Sequence, residues 1–561
     1  MINAFTIGSS AIDTAQSAIT LIGQNIANAT TPGYHRQAVN LVNTVTSPTQ
    51  GTGVDIASIT RYTDDPVNAA VLAATSQQGA TTSRLGVRQQ IETALNSGSG
   101  GIGDQINGFF NQIDQLTSQP DSTAQRQQLI ATAGTLTGQL NAAAGTIDQL
   151  RANTGTQIAQ GITQVNSLAG QIAGLNNQIA AAEAQGLQPN DLLDQRDTAI
   201  GNLSQLIDVK TVNQPQGVVN VIGSGAAVVV GEFANSFQVT SNPAGSLVVT
   251  QSGSTQPVTI SSGSLGGQLQ EYNTDIPATR SQLDTLAGQL AQQVNQVQAT
   301  GLGLNGPITS ATGSVSATSA TAPLSSAGLP FPVQAGQLTV SVTNAAGNRT
   351  NTAVAIDPAT STLQSLATAL NGVPGLQASV TANNQLQIQA QAGFSFDFAG
   401  RDTNPAGGGA VANPDSAGVL SALGVNGFFT GSTANSIAVN PALAADPSRL
   451  AASTTGQPGD GTNLQKLSAL QDQALVSGQT FAASFASQAA TVGNDVQTLT
   501  DQQTAQTGVL QNLNAQGQSV TGVDTNQEFV NLLSYQRIVQ GASEYISTVN
   551  QALGDVLNII Q

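Results

Sequence analysis

The chain contains no cysteine, no tryptophan and a single histidine, His35. Without cysteine there is no disulfide and no thiolate metal site. With one histidine, no HExxH site, no two-histidine metal site and no Ser-His-Asp triad away from His35 can be assembled. Charge is scarce too, at 8% of the 561 residues against about 25% in an ordinary globular protein. Lysine occurs only at Lys210 and Lys466, and 14 basic against 31 acidic side chains leave a formal net charge of -17. Nucleic acid and anionic membranes attract clustered Lys and Arg, so neither fits as a partner. The most apolar long stretch, residues 218–231, is interrupted by glycine and too short to span a bilayer. No positively charged segment precedes an apolar core at the N-terminus, which argues against a cleaved signal peptide and for an export route that leaves that end uncleaved. A secreted chain of this size without disulfides must draw stability from elsewhere, and oligomer contacts are an obvious source.

What is present begins at the two ends. Ile12, Ala15, Ile19, Ile22, Ile26 and Ala29 follow alternating steps of three and four, and so do Leu532, Tyr535, Val539, Ala542, Ile546, Val549, Leu553, Val556 and Ile560. Such spacing keeps one narrow stripe of a helix facing a partner, as in a coiled-coil seam. Neither stripe can bury itself alone, and pairing the first helix with the last makes the intervening chain a body hanging from a two-stranded stalk. The plainer reading is two amphipathic helices on an ordinary core.

Between the ends the apolar period changes. The first heptad stops at a Thr30-Thr31-Pro32-Gly33-Tyr34 turn, where proline and glycine break the helix. Alternation over 37–45 predicts a short extended segment. Residues 68–206 read as mostly helical, with Ile158, Ile162, Val165, Leu168, Ile172, Leu175 and Ile179 marking a long helix packed in a bundle. After Asp208 the period falls to two, predicting a small antiparallel β domain, and a helix returns over 269–297. Residues 301–460, rich in Gly, Ser, Thr, Pro and Ala, carry candidate strands at 338–342, 354–356, 378–382, 386–390 and 394–398 and a short helix at 362–370. Helical spacing resumes over 464–513. The expected fold is therefore α+β and multidomain: paired N- and C-terminal coiled-coil helices (1–35 with 520–561), a discontinuous long helical bundle (36–206 with 460–519), and two β-rich outer domains inserted in the middle (207–300, with its following helix, and 301–459).

Candidate chemistry is sparse. His35, next to Arg36, reads as a packing or solvated residue. Gly98, Gly100 and Gly103 match G-x-G-x-x-G, but helical residues precede them where a dinucleotide loop needs a strand. Asp191, Asp194 and Asp197 are close enough to raise a paired-carboxylate glycosidase. The simpler reading makes Asp191 a helix cap with Asp194 as its third-position acid. No catalytic, cofactor or metal site is expected.

The segment Asn25-Ile26-Ala27-Asn28-Ala29-Thr30-Thr31-Pro32-Gly33-Tyr34-His35-Arg36-Gln37 resembles the N-terminal motif of flagellar rod, hook and hook-associated proteins, with Asn28, Gly33, Tyr34, Arg36 and Gln37 as its signature positions. Residues 522–536, continuing to the terminus, resemble their paired C-terminal motif. The blocks at 190–197, 104–110 and 120–127 resemble the hook-associated protein 1 family in particular, and His35 stands where the motif often has a small polar residue. The resemblance covers 1 to about 300 and 460–561. It implies a structural subunit, secreted unfolded by the flagellar type III apparatus to an extracellular place in the bacterial flagellum, where it forms the first ring of the hook-filament junction. Its implied partners are other copies in a homo-oligomeric ring, hook protein on one side, a second hook-associated protein on the other, and a cytosolic export chaperone on the C-terminal helix. The competing readings are a hook or distal-rod protein and, from another class, a secreted glycan-binding adhesin or glycosidase acting through 301–459. An adhesin would expose aromatics, whereas Phe331, Phe394, Phe396, Phe398, Phe428 and Phe429 lie in strand-like or apolar contexts that favour a core.

Overall fold

The computed structural model describes residues 2–47, 50–96, 98–402 and 409–560. Helix α1 (Ile2–Ala27) is followed by a hairpin of β1 (Gln37–Ser47) and β2 (Gln50–Arg61), then by α2 (Asp65–Leu95), α3 (Ile102–Thr117), α4 (Thr123–Ala184) and α5 (Asn190–Leu206). Seven short strands come next: β3 (Val209–Asn213), β4 (Val219–Gly223), β5 (Ala226–Val230), β6 (Phe233–Ala234), β7 (Phe237–Ser241), β8 (Leu247–Gln251) and β9 (Pro257–Val258). Helix α6 (Gly263–Gln270) runs through one π turn (Glu271–Asp275) into α7 (Ile276–Ala299). The following segment holds β10 (Ser310–Thr312), β11 (Gly336–Asn344), β12 (Arg349–Ile356), α8 (Leu363–Asn371), β13 (Leu376–Val380), β14 (Leu386–Ala390), β15 (Phe394–Asp397), α9 (Val419–Leu423), β16 (Phe429–Thr430), β17 (Ala438–Val439) and α10 (Pro441–Ala445). Helices α11 (Thr462–Ser468), α12 (Phe481–Thr521) and α13 (Thr525–Ile560) complete the chain.

These elements gather into two compact units, one of residues 1–86, 153–273 and 497–561, the other of 87–152 and 274–496. This differs from the division into four domains read from the sequence. Helix α7, expected to close the first β domain, buries Leu283, Leu286, Leu290 and Val294 in the core of the second unit. The expected helical region also begins with a two-stranded hairpin. Its first strand is the extended segment expected over 37–45, whereas in the second, bulges opposite Asn40/Leu41 and Thr44/Val45 break the period of two.

In the first unit, Ile158, Ile162, Val165, Ile172 and Ile179 of α4 are buried, with Leu168 packed beside them. The stripe meets sheet as well as helix: Val219, Val221, Val228, Val229, Phe237 and Val249 join it with Ile200 and Leu203 of α5 and Leu265 of α6. The sheets are β3-β4-β5-β6 and β7-β8-β9, all antiparallel. Two asparagines of α4 fasten them. Asn166 exchanges two hydrogen bonds of 2.8 Å with the backbone of Phe237, and Asn176 does the same with Val219 at 2.8 and 3.3 Å. The π turn places Glu271, fully buried, 3.3 Å from the Arg84 Nε.

The second unit is built on Ile102, Ile106, Phe109, Phe110, Ile113 and Leu116 of α3, which recur at helical spacing and are all buried. The Phe109 ring packs edge-on against Phe110 and Phe428, at centroid distances of 5.2 and 5.7 Å. Its sheets are β10-β14-β13, β12-β11-β15 and β16-β17. Helix α8 starts at a capping box, the Thr362 hydroxyl accepting from the Ser365 N–H at 3.0 Å while the Thr362 N–H donates to the Ser365 hydroxyl at 2.8 Å. Phe331, Phe396, Phe398, Phe428 and Phe429 are buried, with Phe394 packed against them. Arg126 is buried as well and donates to the carbonyls of Pro120 and Leu450 at 2.8 and 2.6 Å. Desolvation lowers its pKa to about 10, which leaves it charged at neutral pH.

Asn295 on α7 carries the clearest load. Its side-chain oxygen accepts from the N–H groups of Phe428 and Phe429, and its amide donates to the Phe429 carbonyl at 2.9 Å, all out of contact with water. Asn295→Asp keeps the shape and the acceptor but sets a buried carboxylate against that carbonyl. The variant should lose about 2–4 kcal/mol from the second unit. Faster amide hydrogen exchange at Phe428 and Phe429 than at Val219 would register the loss; unchanged exchange there would refute it.

Candidate functional site

Helix α1 is buried on two faces. Gly8, Ala15 and Ile22 are buried and Ile12, Ile19 and Ile26 half-buried, and the helix packs against α13. At Gly8 the approach is so close that a Cβ would lie 2.5 Å from Ile546 Cγ1. On α13, Leu532, Tyr535, Val539, Ala542, Ile546, Val549 and Leu553 are all half-buried, while Val556 is exposed. Ile560 lies in the helix, with its side chain outside the described residues. The helix also packs against the hairpin, which it meets through Ile7, Ser10 and Asn25. There the Ser10 hydroxyl accepts from the Val54 N–H at 3.3 Å, and Gly53, at φ 138°, sits against Ser10 and Ile7.

The chain reverses between α1 and β1 through a polar node. Asn28 follows the last turn of α1, its amide donating to the Gln24 carbonyl at 3.1 Å and its oxygen accepting from the Thr31 hydroxyl at 3.2 Å. Gly33 takes φ +80°, which L side chains rarely adopt, and lies against Thr198 of α5. Asn25 donates to the Gln37 carbonyl at 2.8 Å, accepts from the Gln37 N–H at 3.1 Å and accepts again from the Tyr34 hydroxyl at 2.8 Å. Asn190 of α5 reaches the Gln37 side chain at 2.9 Å. Arg36 donates its N–H to the Thr521 carbonyl at 2.8 Å and stacks its guanidinium 4.2 Å above the Tyr62 ring.

Beside the node, His35 Nδ1 lies 2.6 Å from Asp194 Oδ1, 2.8 Å from Arg61 Nη2 and 3.1 Å from the Gly33 carbonyl oxygen. Arg61 spans Asp194 at 2.7 Å and Asp197 at 2.5 Å. Asp191 and Asp194 therefore do not act as read from the sequence. Pro189 occupies the cap position of α5 with no side-chain cap bond, and Asp194 is drawn away to His35 and Arg61. Burial raises the Tyr34 pKa to about 12, helped by Asp194, Asp191 and Glu528. Glu528 is itself buried and belongs to the C-terminal motif, so the two terminal motifs and the 190–197 block share one electrostatic neighbourhood. Sequence reasoning missed Arg61 and Glu528. Neither carried a signal beyond its charge in a chain that has few.

Such a node can lock a chain reversal and orient a helix pair. Among the described residues no three His, Cys, Asp or Glu side chains converge as metal ligands, and no described helix is long and apolar enough to cross a membrane.

Comparison with known proteins gives a consistent picture. Residues 88–313 match the family model of the flagellar hook-associated protein FlgK helical domain. The chain is 26% identical to flagellar hook-associated protein 1 of Escherichia coli strain K12 over 98% of both chains, and 26% identical, at the same coverage, to that of Salmonella typhimurium. The Bacillus subtilis flagellar hook-associated protein 1 is 28% identical over 37% of this chain and 43% of its own. The flagellar hook junction protein FlgK from Burkholderia pseudomallei has a similar fold, with a TM-score of 0.51, 20% identity, and coverage of 81% of this chain and all of that one.

The node predicts an alkaline transition. An unfolded tyrosine loses its proton at about pH 10, whereas Tyr34 in the fold holds its proton to about 12. Its contribution is whole below the first value and is lost as pH rises through the second. Tyr34→Phe should cost about 0.5–1.5 kcal/mol at neutral pH through the lost bond to Asn25. It should also flatten the fall in stability above the lower pH, measured by urea unfolding across the range. A variant with the same alkaline profile as the parent would show that Tyr34 does not titrate with the fold.

Proposed function

We propose that this chain is a structural subunit of the bacterial flagellum at the junction between hook and filament, and not an enzyme. The observation that carries the reading is the joining of both terminal motifs and the 190–197 block in one buried polar node, in a chain similar over 98% of its length to flagellar hook-associated protein 1. Hook and distal-rod proteins, the runner-up, share the terminal motifs but should lack that block.

The physical case for assembly lies in what the terminal helices leave uncovered. The α1/α13 seam half-buries one stripe of α13, while Phe529, Val530, Leu533 and Ile538 remain exposed, as does Tyr545 at the edge of the seam and Phe5 on α1. A seam diluted by Ala and Tyr is marginal as an isolated pair, and neighbouring copies supply the missing cover. On this reading the seam is a coiled coil, and the copies form a homo-oligomeric ring with hook protein on one side and a second hook-associated protein on the other. Before export through the flagellar secretion channel, a cytosolic chaperone holds the C-terminal helix. The absence of cysteine and the low charge suit passage through such a channel.

Deleting the chain should leave hooks assembled without attached filaments, and filament subunits should accumulate in the medium. Electron microscopy of the deletion strain decides it: hookless cells would favour the runner-up, and normally filamented cells would refute both structural readings.

The seam has its own test. Ile546→Asp with Val549→Asp places two carboxylates on the half-buried stripe, at a combined cost on the order of several kcal/mol. Pairing with α1 and capture by the chaperone should both fail, and swimming with them. Ser547→Asp with Asn550→Asp, on exposed positions of the same turns, is the control. Equal swimming by the two double variants would mean that the seam has no part in assembly.

A further inference from the structure

The sheet β3-β4-β5-β6 packs its inner face, through Val209, Val219, Val221, Val228 and Val229, on α4 and α5. Its outer face is bare. Val212, Ile222, Val230 and Phe233 all point outward, and Phe233, at 78% exposure, is the most exposed large hydrophobic side chain among the described residues. The Asn220 side chain accepts from the Gly231 N–H at 2.8 Å, tying β4 to the turn after β5. Among the described residues neither outer edge pairs with a further strand: β3 pairs with β4 and β6 with β5. The two edges carry opposite charges. Lys210, one of two lysines in the chain, stands on β3 two residues from Val212 and makes no ion pair among the described residues. Glu232 stands beside Phe233 in the β5-β6 turn, its carboxylate accepting from the Asn177 amide at 3.1 Å in open solvent.

We propose that this face is a lateral contact between neighbouring copies of the chain, in which Phe233 and Glu232 on the β6 edge of one copy meet Val212 and Lys210 on the β3 edge of the next. Each edge holds what the other needs, an exposed ring for an exposed valine and a carboxylate for an ammonium, which is why the occupant is a second copy and not an unrelated partner. A contact joining two different edges is head-to-tail, and repetition of such a contact closes a ring or continues a helix. It is also small. Specific interfaces that hold on their own bury about 1,200–2,000 Å², and four residues fall well short. The contact therefore forms only where the terminal helices already hold the copies side by side. In this it rests on the ring reading above and names the surface that sets the spacing between neighbours.

The absence of native cysteine makes the test clean. In cells carrying the full chain with Lys210→Cys and Glu232→Cys together, mild oxidation should give a ladder of covalent trimers and higher multimers. Each single variant should stay monomeric. Monomer alone from the double variant overturns the proposal, and so do dimers from either single variant at the yield of the double, because they mean a face-to-face contact. In an independent arm, Lys210→Glu and Glu232→Lys should each lower the fraction of cells that keep filaments under shear, and the double exchange should restore it. A double exchange no better than the singles overturns the proposal too. Failure of the ring reading looks different, since the deletion strain would then keep its filaments.

Discussion

One small interaction recurs wherever a helix in this protein must hold a strand or a turning segment. A primary carboxamide has the donor and acceptor geometry of a peptide group, so an asparagine side chain can stand in for a neighbouring strand and engage both the N–H and the C=O of a single residue. Asn25 does this to Gln37, Asn166 to Phe237, Asn176 to Val219, Asn273 to Leu247, Asn295 to Phe429 and Asn371 to Ala378. The strands concerned are two to eleven residues long and sit in small sheets that would be marginal alone. Each clamp ties such a sheet to a helix whose own backbone is already satisfied. Leaving the strand's groups buried and unpaired would cost about 1–3 kcal/mol apiece.

Dependence on amides explains how the fold tolerates so little charge. Several of its few charges form ion-paired cross-ties: Arg61 to Asp194 and Asp197, Arg84 to Glu271, Arg88 to Asp275, Arg401 to Asp397. A buried pair is weak evidence for stability, because desolvation offsets much of the attraction. Its firmer consequence is geometric. Arg61 can bridge two carboxylates one helical turn apart only if the hairpin and α5 lie in one register, and that register also brings Gln37 to Asn190. Neutral amides would not punish a slipped register as severely as an unpaired buried charge does.

How much of this was legible in the sequence follows the range of each signal. Strong local periodicity carried over well: the expected strands at 338–342, 354–356, 378–382 and 386–390 fall on β11 to β14, and the expected helix at 362–370 falls on α8 with Thr362 as its cap. The α+β character and the flagellar likeness were readable from short motifs. The β2 strand was not, because its bulges and glycines hide the alternation. The destination of a stripe was not readable either. Ile158 to Ile179 announces a buried face, yet nothing in that spacing says that the face meets a sheet, nor that α7 buries among residues far along the chain. The clamps escaped for the same reason. An asparagine on a helix face is indistinguishable in sequence from a solvated one until its strand is in place.

The clamps also bear on the order in which the chain folds, which matters if it is exported unfolded as proposed above. Their partners lie 7, 12, 26, 43, 71 and 134 residues apart, so most close loops of modest length. Loop-closure entropy grows only slowly with length, but contacts of short range form early and do not wait for the rest of the chain. Within the first unit the shortest clamp is that of Asn25 and Gln37, which would fasten the hairpin to α1 before α13, at Thr525–Ile560, has emerged. The α1/α13 seam joins the first helix to the last, and its α13 residues are at most half-buried. On the proposed export reading, a chain arriving N-terminus first completes its sheets and clamps ahead of its stalk and leaves the exposed apolar side chains of α13 to be covered last.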